Sequence, residues 1–359
     1  MPRTIGGIGV LILNLAECSR ECGDSDSFQF EFIIAGTSGY LTTLREKGYK
    51  YHIAPPIHDL VTYHSFLSKL FAENDYDYLW FNNTSKVNIM LPVFAKKNGL
   101  KIITHPHGVK NEEKGLKLLL FRTFNKLHER KMLSLVDIPF ACSREAADIY
   151  YGDTALRERV LIMHNGINVD TFSFNQTSRN LFRGKLGLEE SDILLGTVGR
   201  LTAVKNYPFI INVLSRLKDE YKLIIIGDGE EKDTLQNMII DKNLSNRCFL
   251  LGSKKNVADY LSAMDCFLLP SFNEGMPFSI VEAQCEGLPC IVSDTLTREV
   301  AITDLVNYAS INDENEWTRM ITALKRDNKR CIYREKIIQA GYSIEQSYLM
   351  FKQACESCS

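Results

Sequence analysis

Two glutamates, Glu274 and Glu282, stand eight residues apart in the run Phe272-Asn273-Glu274-Gly275-Met276-Pro277-Phe278-Ser279-Ile280-Val281-Glu282. Ahead of them the apolar segment Met264 to Leu269, closed by Pro270 and Ser271, reads as a buried strand. The order is strand, Gly/Pro loop, helix, which offers backbone N–H groups and a helix N-terminus to an anion lying over the loop. With a helix starting near Pro277, Glu282 falls about one to two turns in. One carboxylate on the loop and one on the helix then hold two hydroxyl-bearing parts of one elongated ligand. The plainer alternative is a solvated loop glutamate and half of a helix-surface pair.

Complementary chemistry comes from two cations in Gly196-Thr197-Val198-Gly199-Arg200-Leu201-Thr202-Ala203-Val204-Lys205-Asn206. A strand ends at Val198, Gly199 permits a tight turn, and Arg200 and Lys205 follow. Cations at the carboxyl end of a parallel strand suit a diphosphate, with Arg able to fork onto two oxygens; a pair of solvated loop charges is the alternative. The strand-like Leu223 to Ile226 enters a turn flanked by Gly227 and Gly229. Glycine there serves either close approach of a ligand or turn geometry alone. In Thr104-His105-Pro106-His107-Gly108, directly after the strand-like Lys101 to Ile103, a histidine at the strand's carboxyl end faces a cleft. A satisfied structural histidine is the competing reading.

The elements that position these groups alternate along the chain. Apolar runs at 30–35, 78–81, 101–104, 138–142, 160–163, 194–198, 222–226, 248–251, 266–269 and 289–292 are separated by amphipathic helical patterns. Strands apolar throughout require sheets covered on both faces, hence parallel α/β layers. The polar stretch Asn175 to Asn180 reads as an interdomain connection. The expected architecture is two doubly wound, Rossmann-like α/β domains facing each other across a cleft.

The text E-G-M-P-F-S-I-V-E-A followed by E-G-L-P-C-I-V-S-D, from Glu274 to Asp294, resembles the signature of retaining glycosyltransferases of family 4, whose fold is GT-B. The resemblance implies that Glu274 faces the donor sugar and Glu282 holds the ribose, with Gly275, Met276, Pro277 and Phe278 lining the nucleotide-sugar site. G-R-L-x3-K-N resembles the family's pyrophosphate loop, so Gly199, Arg200 and Lys205 are expected at the leaving diphosphate, with Gly227 and Gly229 close by. Phe249 to Ser253 resembles the strand whose end receives the base, where Ser253 and Val257 are expected; a simple core valine is an equal reading of Val257. The family's histidine near the donor sugar matches His107 best, with His105 second. Phe140-Ala141-Cys142-Ser143 and His164-Asn165-Gly166-Ile167-Asn168 resemble the elements before the domain junction; Ser143 reads as an N-cap and Asn165-Gly166 as a turn. The family's Gly-Gly loop follows a first strand, and Gly7 in Gly6-Gly7-Ile8-Gly9 is its counterpart. Only Pro2-Arg3-Thr4 remains for that strand, so either the recorded start falls late or the edge order of the first sheet is altered.

The implied division is 1–170 for the acceptor-side domain, 171–340 for the nucleotide-sugar domain and 341–359 for a C-terminal helix returning to the first. Bulk properties set the outer limits. With 359 residues there is room for two cores, and 45% hydrophobic with 24% charged residues is the balance of a soluble globular protein. A net charge of −2 gives no basic excess for nucleic acid. No apolar run reaches the roughly 18 residues of a membrane span, and the start lacks a signal-peptide pattern. The ten cysteines are scattered as small buried hydrophobes in a reduced, cytosolic protein; Cys18 with Cys22 and Cys355 with Cys358 lack partners for a metal site. Asp75-Tyr76-Asp77 has the form of a metal-binding pair but precedes its strand, the wrong end for a site. Asn82-Asn83-Thr84 fits a glycosylation acceptor without the secretory context to use it. The basic, apolar stretch 110–132 suits either an anionic bilayer surface or the first domain's own core.

The expectation is therefore a retaining, metal-independent glycosyltransferase of hexosyltransferase type. It uses a nucleotide-sugar co-substrate, UDP-linked, with no other cofactor, and a glycan or polyprenyl-linked acceptor in surface-polysaccharide assembly, in the cytoplasm or at the inner face of the membrane. A nucleotide-sugar epimerase of the same fold and a non-catalytic partner subunit are the alternatives. Acceptor-dependent turnover separates the first, and donor binding without turnover marks the second.

Overall fold

The computed structural model describes residues 7–24, 28–35, 40–82, 89–107, 128–324 and 330–358. The chain divides into two compact units, Met1–Asn165 with Glu345–Ser359, and Gly166–Ile344.

In the first unit β1 (Phe32–Ala35) pairs in parallel with β2 (Tyr51–Ala54). A four-stranded parallel sheet follows in chain order: β3 (Tyr78–Phe81), β4 (Lys101–Thr104), β5 (Ile138–Ala141) and β6 (Leu161–Ile162). Helices α1 (Gly7–Glu21), α2 (Tyr40–Glu46), α3 (Leu60–Glu73), α4 (Met90–Lys97) and α5 (Arg144–Tyr151) supply the crossovers described. Ser143 caps α5, its hydroxyl accepting from the Ala146 N–H at 3.0 Å. The helix Ile344–Cys358 closes this unit. Its Phe351 packs 4.9 Å from Trp80, Tyr348 donates to Asp24 Oδ2 at 3.0 Å, and the Tyr78 hydroxyl donates to the Cys355 carbonyl at 2.8 Å.

The second unit is built on six parallel strands: β7 (Ile193–Val198), β8 (Tyr221–Ile226), β9 (Cys248–Gly252), β10 (Cys266–Leu269), β11 (Cys290–Ser293) and β12 (Val306–Ala309). Their spatial order is β12-β11-β10-β7-β8-β9. The chain thus winds outward from β7 in one direction, returns to β10 and winds outward in the other, as doubly wound sheets do. Side-chain alternation explains the uninterrupted apolar strands. Leu223 and Ile225 enter one core with α7 (Tyr207–Arg216), while Ile224 and Ile226 enter the other with α10 (Phe278–Cys285).

Buried charges brace the second unit. Asp265 accepts from Arg179 at 2.5 Å and Arg183 at 2.9 Å, and its Oδ2 also takes the Leu194 N–H at 2.8 Å. Arg330, nearly buried, donates to the carbonyls of Leu261, Ser262, Met264 and Glu286. Burial pushes the Glu286 carboxyl up to about 8 even beside Arg330.

Two parts of the sequence reading are corrected. Residues 175–180 are not a connection: Asn175 caps α6 (Gln176–Lys185), accepting from the Ser178 N–H at 3.0 Å, and Phe182 anchors that helix in the core. The strands β2 and β12 were not expected, because His52 and Asn307 break their apolar runs. All ten cysteines are free, and seven of them are buried.

Candidate functional site

In the second unit the strand order reverses between β7 and β10, the position beyond whose carboxyl ends doubly wound sheets bind their ligands. The β7 loop carries Gly199 to Asn206 and the β10 loop Pro270 to Pro277. They are stitched together by Phe272 N–H donating to the Val204 carbonyl at 2.9 Å and Asn206 Nδ2 donating to the Pro270 carbonyl at 3.3 Å. Thr295, after β11, adds a hydroxyl bond to the Phe272 carbonyl at 2.9 Å. Lys205 ends a short 3-10 turn, and Asn206 takes the left-handed conformation (φ 52°) that swings the chain into α7.

This stitching sets the Lys205 ammonium 2.5 Å from Glu274 Oε1, with the two side chains only 14% and 16% exposed. At that burial each charge depends on the other. Arg200 is exposed and has no ion-pair partner among the described residues. An anion approaching these loops would meet the exposed Arg200 guanidinium and one ammonium already held by a carboxylate.

The glycines explain how the loops come so close. A Cβ on Gly227, whose φ is +146°, would lie 1.8 Å from the Gly199 carbonyl oxygen; one on Gly229 would lie 2.3 Å from the Leu201 oxygen. The space beside both residues is filled by the backbone of the Arg200 loop, which the Leu201 N–H also ties to the Asp228 carbonyl at 3.0 Å. Close packing of these backbones therefore requires a bare glycine at both positions. At Gly199 a Cβ would meet Tyr207 Oη at 2.8 Å and Lys205 Cε at 3.1 Å, so its bareness makes room for the Lys205 side chain.

Pro277 sits at the N-cap of α10, Gly275 and Phe278 are half-buried and Met276 is buried in the core. Glu282 lies one turn into α10, half-buried, and burial pushes its carboxyl up to about 7. Ser253 is exposed beyond β9, and Val257 opens α9 (Val257–Ala263), packed against the core. That packing is what the core-valine reading of Val257 expected.

In the first unit His105 and His107 leave the carboxyl end of β4 with ring centroids 4.1 Å apart. His105 is fully buried, bonded to the Met163 carbonyl and stacked on Trp80. His107 is half-buried between two amides, its Nδ1 3.2 Å from Asn165 Oδ1 and its Nε2 2.9 Å from Asn82 Oδ1. Burial pushes the His107 imidazole down to about 4. A neutral ring offers one donor and one acceptor, so one of the two amides must turn its NH2 toward it. Gly7 opens α1; Gly6, and residues 110–127 of the basic apolar stretch, lie outside the described residues. Asp75-Tyr76-Asp77 precedes β3, and Tyr76 donates to Glu31 at 2.6 Å. Among the described residues no group of three or more His, Cys, Asp or Glu side chains gathers at metal-ligand spacing.

Sequence reasoning missed Asn82 as a partner of His107, and it missed Thr197 and Tyr207 beside the ion pair. Both of those hydroxyls are buried, and neither completes a well-formed hydrogen bond. A polar strand end running into the Arg200 motif was the available signal for Thr197. Tyr207 had none beyond following Asn206.

Residues 178–344 match the profile of the glycosyl transferases group 1 family. EpsF of Bacillus subtilis (strain 168) is 30% identical over 240 residues, 65% of this chain and 61% of that protein. The UDP-Gal:alpha-D-GlcNAc-diphosphoundecaprenol alpha-1,3-galactosyltransferase of Escherichia coli is 29% identical over 238 residues, 64% of this chain and 60% of that protein. The chain thus spans less than two thirds of the length of these curated relatives. The crystal structure of Anabaena Alr3699/HepE in complex with UDP and glucose superposes with a TM-score of 0.76 at 15% identity, covering 99% of this chain and 97% of that one. The fold is GT-B.

Proposed function

We propose that this chain, whose residues 178–344 form a group 1 glycosyltransferase domain, moves a sugar from a UDP-linked donor to a glycan or lipid-linked acceptor in surface-polysaccharide assembly. The observation that carries the reading is the Lys205–Glu274 pair, with Arg200 beside it, at the switch point of the six-stranded sheet. Nucleotides bind at that position in doubly wound sheets. The UDP complex of a protein with the same fold and the diphosphoundecaprenol substrate named for a relative support the donor and the acceptor class.

The chemistry proposed is transfer with retention and without a metal. Arg200 and Lys205 offset the negative charge that develops on the departing diphosphate. Glu274 holds the donor sugar, Glu282 the ribose hydroxyls, and the backbone N–H groups at the start of α10 face the phosphates. The acceptor hydroxyl attacks from the face the diphosphate leaves, so positioning and leaving-group stabilisation supply the rate. His107 as a further contact to the donor sugar rests on the family resemblance and on its half-open place between two amides. Glu274→Ala and Lys205→Ala should each lose most sugar transfer, measured with the donor that gives the largest thermal shift among UDP-, GDP- and ADP-sugars. Full activity in both variants would refute the site.

Among the described residues no helix is long and apolar enough to cross a membrane. Contact with the inner membrane face through 110–132 is proposed from charge and apolarity alone. Flotation with anionic liposomes tests it, and a chain that stays at the bottom of the gradient removes it.

A further inference from the structure

The Lys205–Glu274 pair has a third neighbour to which no function has yet been given. Tyr207 is fully buried at the start of α7, its ring packed in the core beneath β7. Its hydroxyl lies against the Thr197 side chain, and the contact falls short of good hydrogen-bond geometry. A Cβ on Gly199 would lie 2.8 Å from Tyr207 Oη and 3.3 Å from Lys205 Nζ, so hydroxyl and ammonium crowd the same spot. The Glu274 charge reaches this hydroxyl and, with burial as the larger cause, pushes its pKa upward. The O–H therefore keeps its proton at any working pH. Glu274 Oε1, held by the ammonium at 2.5 Å, completes no hydrogen bond of good geometry. A phenylalanine would fill the same volume without burying an unsatisfied hydroxyl.

We infer that Tyr207 is a positioning residue in an ion-pair exchange. A nucleoside diphosphate draws Lys205 away from Glu274, and the Tyr207 hydroxyl donates to the released carboxylate and holds it toward the donor sugar. The inference rests on the nucleotide-sugar reading of this site. It adds that the diphosphate and Glu274 compete for one ammonium, so the carboxylate is freed for the sugar only when the diphosphate is in place. Two consequences follow that simple packing would not produce. Removing the charge of Glu274 should strengthen binding of the nucleotide alone. Removing the Tyr207 hydroxyl should leave the nucleotide alone unaffected and weaken the sugar nucleotide.

Calorimetry on the full chain separates these outcomes, using UDP and a panel of UDP-glucose, UDP-galactose and UDP-N-acetylglucosamine. Glu274→Gln should bind UDP about tenfold tighter than the unaltered chain, because Lys205 is no longer shared. Tyr207→Phe, which keeps the ring and its packing, should hold UDP within about twofold. Its preference for the best sugar nucleotide over UDP should fall about tenfold. If the unaltered chain binds UDP and Glu274→Gln binds it no tighter, the exchange is wrong and the nucleotide site stands. If Tyr207→Phe keeps the full sugar preference, Tyr207 has no part in positioning. If the unaltered chain binds no UDP at all, the nucleotide reading falls and the exchange with it.

Discussion

Glu282→Gln tests whether the α10 carboxylate is held for a ligand at the expense of stability. Burial pushes the folded carboxyl up to about 7 from its ordinary 4.5. The folded chain thus binds that proton more tightly than the unfolded chain does. Ionising it costs the folded state nothing below the unfolded value, progressively more between 4.5 and about 7, and the full amount above. A pKa unit corresponds to about 1.4 kcal/mol, and the half-open side chain keeps some water, so we expect about 1–2 kcal/mol at pH 8. Glutamine has the same shape and no proton to lose. Urea melts at pH 8 should therefore favour Glu282→Gln by that amount, and melts near pH 4.5 should nearly coincide. In thermal scans the difference at pH 8 is about 2–8 °C. Glu286, raised to about 8, titrates alike in both proteins and cancels in the comparison. The same variant should bind UDP about tenfold more weakly at pH 8, having lost a charged acceptor for the ribose hydroxyls. Parallel pH profiles would refute the burial argument. A stability gain with unchanged UDP affinity would instead refute the ribose role.

Gly227→Ala places a methyl group 1.8 Å from the Gly199 oxygen at a φ of +146°, and should cost about 3 kcal/mol or more in urea unfolding; a neutral result would mean the loops are not held as described. Arg330→Met removes one donor from each of four carbonyls, two of which keep Arg179, and leaves Glu286 without its ion-pair partner, so about 3–5 kcal/mol should be lost, with partial recovery in the double variant with Glu286→Gln. Exposed Arg200 meets an anion first, so Arg200→Gln should flatten the salt dependence of UDP binding more than Lys205→Gln does; equal flattening would show that both cations act from solvent.

What the sequence made legible follows from how local each signal is. Strands apolar on both faces, such as Leu223 to Ile226, announce a covered parallel sheet, and of the twelve strands among the described residues ten were anticipated within a residue or two. The two missed, β2 and β12, carry a polar residue in mid-run, where alternation over four residues is too short to separate strand from loop. Asn175 to Asn180 was misread because a polar helix start and a linker share the same composition; only the cap geometry and buried Phe182 tell them apart. The site divides in the same way. Arg200, Lys205, Glu274 and Glu282 sit in contiguous motifs. The contacts that give them character come from afar: Asn82 and Asn165 reach His107 across 25 and 58 residues, and the β7 loop fills the space beside Gly227. No spacing rule contains those distances.

The second unit holds two buried polar assemblies that differ in how fully they are satisfied. Around Asp265 and Arg330 nearly every donor and acceptor is engaged, and the partners are mainly backbone groups that cannot move. Such an arrangement has one low-energy state and fixes α6, α9 and α10 against each other. Around Lys205 the opposite holds: Thr197, Tyr207 and Glu274 Oε1 all lack well-formed hydrogen bonds, although the glycine-packed loops leave little freedom of backbone. Buried polar groups left incomplete on a rigid scaffold cost stability unless something completes them. On the nucleotide-sugar reading proposed above, a ligand bringing negative charge to Lys205 and hydroxyls to Glu274 would complete them, and its affinity would draw on those groups.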